Sequence, residues 1–251
     1  MGKVIAIVNQ KGGVGKTTTA INLAASIALG GRDILVVDTD PQGNLTSGLG
    51  INREDLSSSL YDVFAGQCTL EDVVVGTGVD HLYLVPSSLD LLGVELELVS
   101  RERRELVLSE ALAGIRDRYQ YVLIDCPPSL GLLTLNNLVA ADSVIVPVQC
   151  EYYSLEGLGL LSRTLTLVRS SLNPGLDIEG IVLTMFDTRN SLSHQVAAEV
   201  RKFFAEKVYE TSIPRNVTLG EAPSHGKPAL LYDARSKGAQ SYLSLAMEVL
   251  R

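Results

Sequence analysis

Short apolar runs rich in β-branched residues recur along the 251-residue chain, separated by longer stretches whose apolar positions repeat every three or four residues. The runs over 4–8, 34–37, 82–85, 121–124, 143–147, 178–184 and 208–211 are continuous rather than alternating. Continuity of that kind suits strands buried on both faces of a parallel sheet. Helices are predicted over 16–29, 90–114, 131–140, 154–172, 192–206 and 238–250. This is the βαβ rhythm of an α/β fold with a doubly wound, mostly parallel sheet flanked by helices. There is no internal repeat, low-complexity tract or Pro/Ser-rich linker, so one domain spanning 1–251 is expected, burying roughly three quarters of its unfolded surface. The segment RERRE (Arg101 to Glu105) reads as a solvated, mixed-sign helix face.

In such a sheet, ligands bind outside the carboxyl ends of the strands. After the first run the chain reads KGGVGKTT (Lys11 to Thr18), then turns helical. The phosphate-loop pattern is G-x-x-x-x-G-K-[ST]. Gly15, Lys16 and Thr17 supply its end, Gln10 stands at its opening glycine position, and Lys11 adds a second lysine. Glycines at 12, 13 and 15 let backbone N–H groups approach phosphate oxygens. The helix starting near Lys16 turns its positive end toward the anion. A nucleoside triphosphate is therefore expected, cradled by Gly12, Gly13, Val14 and Gly15. Lys16 would neutralise the β- and γ-phosphates, Thr17 would complete the Mg²⁺ shell and Thr18 would reach the α-phosphate. Lys11 would crowd Lys16 on the same phosphate. Its natural use is in trans, across a homodimer, as an arginine finger is used.

Acidic residues gather at the same strand ends: DTDPQGN (Asp38 to Asn44) after the second run and DCPPSLG (Asp125 to Gly131) after the fourth. Magnesium takes oxygen ligands and keeps several waters, which carboxylates hold. Asp125 is the Walker-B-like candidate, Asp38 a second candidate for the Mg²⁺ shell, and Asp40 is placed to orient or deprotonate the attacking water. Each has an ordinary alternative as a helix cap or turn residue.

Net charge is −8, which argues against a general nucleic-acid coat. The balance is uneven: residues 201–251 hold eight Lys/Arg against five Asp/Glu, and residues 1–200 hold thirteen against twenty-four. The C-terminal segment is thus where a polyanion would dock, although ordinary solvated charge gives the same count. No apolar run reaches the ~18 residues of a membrane span. The first residues lead straight into a strand, so no signal peptide is expected. Cys68, Cys126 and Cys150 form no Cys-x-x-Cys pair and read as reduced thiols of a cytoplasmic protein.

KGGVGKTT, VDTDPQGN, LIDCPPSLGLLT, PVQCEYYSLEGL and IPRN…EAPSHGKP, in that order and over nearly the whole chain, resemble the ParA family of chromosome- and plasmid-partitioning ATPases, most closely the small chromosomal, Soj-like type. The first motif alone marks the broader deviant Walker A class of P-loop NTPases. The resemblance implies ATP and Mg²⁺ as cofactors, Lys11 crossing a dimer interface, Asp40 needed for hydrolysis, Asp125 as the Walker-B aspartate, and Pro214 and Asn216 lining the adenine pocket. It implies that ATP closes two monomers into a sandwich that binds double-stranded DNA without sequence preference on the nucleoid. A centromere-binding ParB-type partner would then stimulate slow hydrolysis, and a second role in replication-initiation control is open. Arg189 matches a DNA-contacting arginine of the family, and Lys202, Lys227 and Lys237 are further candidates. Thr218 departs from the pattern, since similar chains often carry a basic residue there, which makes the DNA footprint smaller or differently placed.

Three other readings share the fold. A MinD-like membrane-positioning ATPase needs a C-terminal amphipathic helix with a basic face, but SYLSLAMEVLR has one base, and Tyr242, Ala246 and Val249 suit packing on the core, so no membrane partner is expected. An iron-sulfur carrier needs cysteines that meet between subunits; Cys126 lies beside the Asp125 motif but has no suitably spaced second cysteine, which suits a core or strand-end thiol. A small-molecule kinase or ligase has no support beyond the phosphate loop.

Overall fold

The computed structural model describes residues 2–151 and 154–251; Tyr152 and Tyr153 of the PVQCEYYSLEGL motif lie outside the described residues. One eight-stranded sheet runs through the molecule. Its strands are β1 (Lys3–Ile7), β2 (Ile34–Asp38), β3 (Val75–Gly76), β4 (Leu82–Val85), β5 (Tyr121–Asp125), β6 (Ser143–Gln149), β7 (Asp177–Phe186) and β8 (Val208–Pro214), in the spatial order β3-β4-β2-β5-β1-β6-β7-β8. Neighbouring strands are parallel except β3 and β4. The helices are α1 (Lys16–Ala28), α2 (Asn44–Gly48), α3 (Leu60–Phe64), α4 (Val94–Glu97), α5 (Val107–Ala113), α6 (Leu132–Ala140), α7 (Ser154–Ser171), α8 (Ser191–Phe204), α9 (Val217–Glu221), α10 (Ala229–Tyr232) and α11 (Lys237–Val249).

The pleat explains the continuous apolar runs. Along β1, Val4 and Ala6 join a core with Leu133 and Leu138 of α6, Leu161 of α7 and Val200 of α8. Ile5 and Ile7 face the opposite way, into a core with Ile21 of α1 and Tyr242 and Leu245 of α11. Because helices cover both faces, every residue of β6 is buried. Each large apolar side chain so buried stabilises the fold by about 1.5–3 kcal/mol. From β1 the chain crosses to β2 on one side, while β6, β7 and β8 extend the other. β1 therefore lies at the switch point, and a crevice opens at its carboxyl end.

The expected fold class stands, with local corrections. The second and fourth runs extend by one residue, so Asp38 and Asp125 are the last residues of their strands rather than loop residues. β8 runs on through Pro214. The edge strand β3 is too short to leave a pattern. The segment 90–114 is not one helix: Gly93 separates a 3-10 turn (Leu89–Leu92) from α4, and Arg103 adopts a left-handed φ of 57° before α5. RERRE is accordingly not one helix face, only Arg104 and Glu105 falling in a short 3-10 turn; residues 101–104 are exposed as expected, and Arg101 and Arg104 donate to the carbonyls of Phe64 and Val99. At the C-terminus Tyr242, Ala246 and Val249 are buried as expected. Glu248 on α11 accepts from the N–H groups of Glu210 and Thr211 at 2.8 and 2.9 Å, tying down the sheet-edge strand. Among the described residues no helix is long and apolar enough to cross a membrane.

Candidate active site

The loop between β1 and α1 is shaped for an anion. Gly13 and Gly15 take φ of +72° and +91°, conformations that disfavour any residue with a Cβ. Gly12 and Gly13 have open space where a Cβ would stand, so another group can approach the backbone closely. α1 begins with no side-chain cap and no acidic residue in its first turn. Its leading N–H groups and positive dipole end are left for a ligand. The loop is braced from across the sheet, where Thr184 Oγ1 on β7 donates to the Val14 carbonyl at 2.8 Å.

Lys16 is buried, and its Nζ donates to the Lys11 carbonyl at 3.3 Å. Burial lowers its pKa, offset in part by Asp125, Cys126 and Asp40. Lys11 points elsewhere. Its Nζ pairs with Glu151 Oε2 at 2.8 Å, beyond the end of β6, and Glu151 Oε1 accepts from Gln149 at 2.6 Å. The two lysine side chains of the motif therefore point to different places.

The aspartates divide the work. Asp38 and Asp125 are register partners on adjacent parallel strands, both fully buried. Asp38 is already committed: Oδ2 accepts from the Thr46 N–H and hydroxyl at 2.8 and 2.7 Å, and Oδ1 accepts from the Asp40 N–H at 3.2 Å. Burial nevertheless raises its pKa to about 6 against those stabilising bonds. Asp125 is raised well above the carboxylate range, first by burial and then by the charge of Asp38. The Thr17 hydroxyl is close enough to favour its charged form, yet neither Oδ atom has a partner at full hydrogen-bond geometry among the described residues. Two unpartnered carboxylate oxygens beside a buried lysine are what a cation would satisfy. Asp40 is half-buried and lines a cleft of about 650 Å³ with Gly12, Gly13, Lys16, Thr17 and Pro128. Its backbone is held at both ends, its N–H by Asp38 and its carbonyl by Ser87 Oγ at 2.6 Å, and its side chain is oriented by the Gln42 N–H, which donates to Oδ1.

A second, narrower pocket of about 200 Å³ opens beside Gly15 and Thr18, lined by Met185, Pro214, Asn216 and Tyr242. Asn216 Oδ1 lies against Gly238, buried and without a partner among the described residues. ATP with Mg²⁺ thus fits the residues present: an open glycine cradle, a buried lysine, orphaned Asp125 oxygens and an adjoining pocket. A larger groove of about 880 Å³ between residues 50–54 and 223–226 has no buried charged side chain among its described lining residues.

The basic candidates do not form one patch. Arg189, whose side chain is 88% exposed, makes two side-chain bonds of 3.0 Å to Asp187. Lys202 lies thirteen residues further along, near the other end of α8, roughly 20 Å away at helical rise. α8 packs on the sheet face opposite that of α11. Lys227 and Lys237 are exposed beside α10 and at the start of α11. Arg215, which the sequence did not single out, is exposed next to Pro214 and close enough to Asp187 to help lower its pKa. Cys126 is buried, its thiol pushed up to about 12 by burial, and it accepts from Asn137 at 3.3 Å. That is a core thiol rather than an interfacial ligand. Thr184, Tyr242, Thr46, Ser87 and Glu151 are site residues that sequence reading missed. Thr184, Tyr242, Ser87 and Glu151 bond partners distant in the chain and Thr46 bonds Asp38 eight residues away; of the five only Glu151 lies within a quoted motif, where nothing marks it out.

A family model described as an AAA domain matches residues 2–178. The chain is 55% identical over 249 residues to the sporulation initiation inhibitor protein Soj of Bacillus subtilis, covering 99% of this chain and 98% of that protein. It is 55% identical over 250 residues to the chromosome partitioning protein ParA of Caulobacter vibrioides, covering 99% and 94%. Among solved structures, a Mycobacterium smegmatis protein described as cobyrinic acid a,c-diamide synthase, with bound ADP and magnesium, superposes with a TM-score of 0.88 at 39% identity, covering 100% and 95%. The Pyrococcus furiosus cell division ATPase MinD superposes at 0.83 with 30% identity, covering 100% and 99%.

Proposed function

Because the chain belongs to the ParA/Soj family of P-loop ATPases, we propose that it is a chromosome-partitioning ATPase whose nucleotide state switches dimerisation and DNA affinity. The observation that carries this is the pairing of two lysines with different targets in one loop. Lys16 is buried against Asp125 and Asp40, while Lys11 is half-exposed on a solvent-facing glutamate. A partner subunit facing the open glycines 12 and 13 offers Lys11 a second phosphate to reach.

In this reading Lys16 and the α1 N-terminus bind the phosphates, and Thr17 and Asp125 hold Mg²⁺, with Asp38 shaping the turn behind them. Mg²⁺ supplies charge neutralisation on the phosphate oxygens. Asp40 orients the attacking water and takes its proton. Asn216 and Pro214 hold adenine. Lys11 leaves Glu151 and crosses to the partner's nucleotide. The closed dimer doubles the basic surface contributed by Arg189, Lys227 and Lys237, with Lys202 a more distant contact. Non-specific duplex DNA is held through phosphate, and a ParB-type partner stimulates hydrolysis and release. The synthase description of the Mycobacterium smegmatis structure goes with lower identity than the partitioning relatives, and no feature of the cleft favours an organic acceptor.

Asp40→Ala separates binding from hydrolysis. The variant is expected to bind ATP like the wild type, lose roughly 10²-fold or more in turnover, and accumulate as a DNA-bound dimer in sedimentation. Wild-type turnover by this variant would refute the role of Asp40.

A further inference from the structure

The turn carrying Asp40 and the strand end carrying Asp125 belong to different βα units, yet one buried side chain joins them. Asn137 lies on α6 with no exposed surface. Its Nδ2 donates to Thr39 Oγ1 at 2.7 Å and to Cys126 Sγ at 3.3 Å. Thr39 Oγ1 in turn donates to the Asp125 carbonyl at 2.6 Å, which also accepts from the Thr39 N–H at 3.2 Å. Thr39 immediately precedes Asp40, and Cys126 immediately follows Asp125. One amide therefore spans the neighbours of both acidic residues. α6 also closes the loop that brings Pro128 into the cleft, since Thr134 Oγ1 donates to the Ser129 carbonyl at 2.6 Å.

The arrangement is poor as mere packing. Asn137 Oδ1 is buried without a partner among the described residues, a penalty that an apolar side chain of similar size would avoid. Leu133, Leu138 and Val139 on the same helix show that apolar residues are at home there. What leucine at 137 lacks is the pair of donors. We infer that Asn137 is a positioning residue for hydrolysis, holding the Asp40 turn and the Asp125 strand end as one rigid unit through Thr39 and Cys126. It touches no reacting atom. Its effect is to fix the separation between the residue that takes the water's proton and the residue that faces the cation, where a displacement of about 1 Å costs up to ~10²-fold in rate. The inference rests on the roles assigned above to Asp40 and Asp125.

The test compares Asn137→Leu, Thr39→Val, Thr39→Ser and the Asn137→Leu/Thr39→Val double variant. Thr39→Ser keeps the hydroxyl and is expected to hydrolyse ATP near the wild-type rate. Asn137→Leu and Thr39→Val are each expected to lose roughly 10- to 100-fold in kcat with KM little changed. The double variant should be no worse than either single variant, because both cut the same link. In nucleotide-free, metal-free protein, hydrogen exchange should quicken at the Thr39 and Asp40 amides in Asn137→Leu, while the β1 amides stay protected. Losses that multiply in the double variant, equal losses in Thr39→Ser and Thr39→Val, or unchanged kcat and exchange in Asn137→Leu would each overturn the inference. Should Asn137→Leu fail to fold, the contrast between Thr39→Val and Thr39→Ser, in turnover and in exchange, decides alone. If wild type and Lys16→Ala hydrolyse ATP equally, the nucleotide reading itself fails and this inference falls with it. Lys16-dependent turnover with no effect of the variants overturns the positioning role only.

Discussion

Asp38 and Asp125 end adjacent strands side by side, and burial raises both pKa values, that of Asp38 to about 6. A carboxyl whose pKa is higher folded than unfolded binds its proton more tightly in the folded state. Stability from such a group therefore falls as pH rises from the ordinary value of 3.8 through the folded value, and stays low above it. Asp125→Asn removes that penalty. With chelator and no nucleotide, its Tm is expected to exceed the wild type's by roughly 2–4 °C or more at pH 7–8, and the gain should shrink toward pH 4. A gain independent of pH would contradict the buried-carboxylate explanation. With Mg²⁺ and ATP the order should reverse, because only the wild type presents a carboxylate to the cation. At this scale the candidate site was largely legible. Lys11, Lys16, Thr17, Asp40 and Asp125 announce themselves by spacing within ten residues of a strand end. The supports did not, because Thr184 meets Val14 across 170 positions, Asn137 meets Thr39 across 98 and Ser87 meets Asp40 across 47.

The loop and α1 act as one element, and the glycines divide between making it and leaving room around it. Gly15 ends the loop at φ +91° and releases α1 uncapped. Gly15→Ala should cost about 1–2 kcal/mol, seen as a Tm loss of roughly 2–8 °C in nucleotide-free protein. Gly12 has no positive φ, and its missing Cβ faces open space. Gly12→Ala should leave that Tm unchanged but impair ATP-driven dimerisation, since a facing backbone would meet the methyl. Equal Tm losses for both would show that Gly12 also shapes the loop. Long, strongly periodic elements such as α7 and α11 were readable to within a residue or so. The segment 90–114 was not, because its helical periodicity is overridden by a break at Gly93, by the left-handed Arg103 and by Arg101 bonded to the distant Phe64 carbonyl. α2 and α9, five residues each, carry no periodicity to read, yet they place Asn44, Ser47 and Leu219 around the cleft.

At the scale of the whole molecule, the half-exposed Lys11–Glu151 pair is worth no more than about 1 kcal/mol, so a phosphate across a dimer interface competes for Lys11 easily. Use in trans makes a specific prediction. Lys11→Ala should keep ATP binding but lose roughly 10³-fold or more in hydrolysis. Mixed with the inactive Asp40→Ala, it should regain activity, since in the mixed dimer one site has both an intact Asp40 and the partner's Lys11. A mixture that stays inactive would mean Lys11 works within its own subunit. Charge at this scale is uneven: the chain is net −8, with its basic excess in the last fifty-one residues. DNA affinity should therefore depend on pairing two subunits rather than on one. The most direct test of the switch is binding to non-specific duplex DNA without nucleotide, with ADP, and with ATP plus Mg²⁺, across a salt series. Binding confined to the ATP state and falling steeply with salt is the expected result. DNA binding that is absent in every state despite ATP-driven dimerisation, or equal in all three, would contradict it.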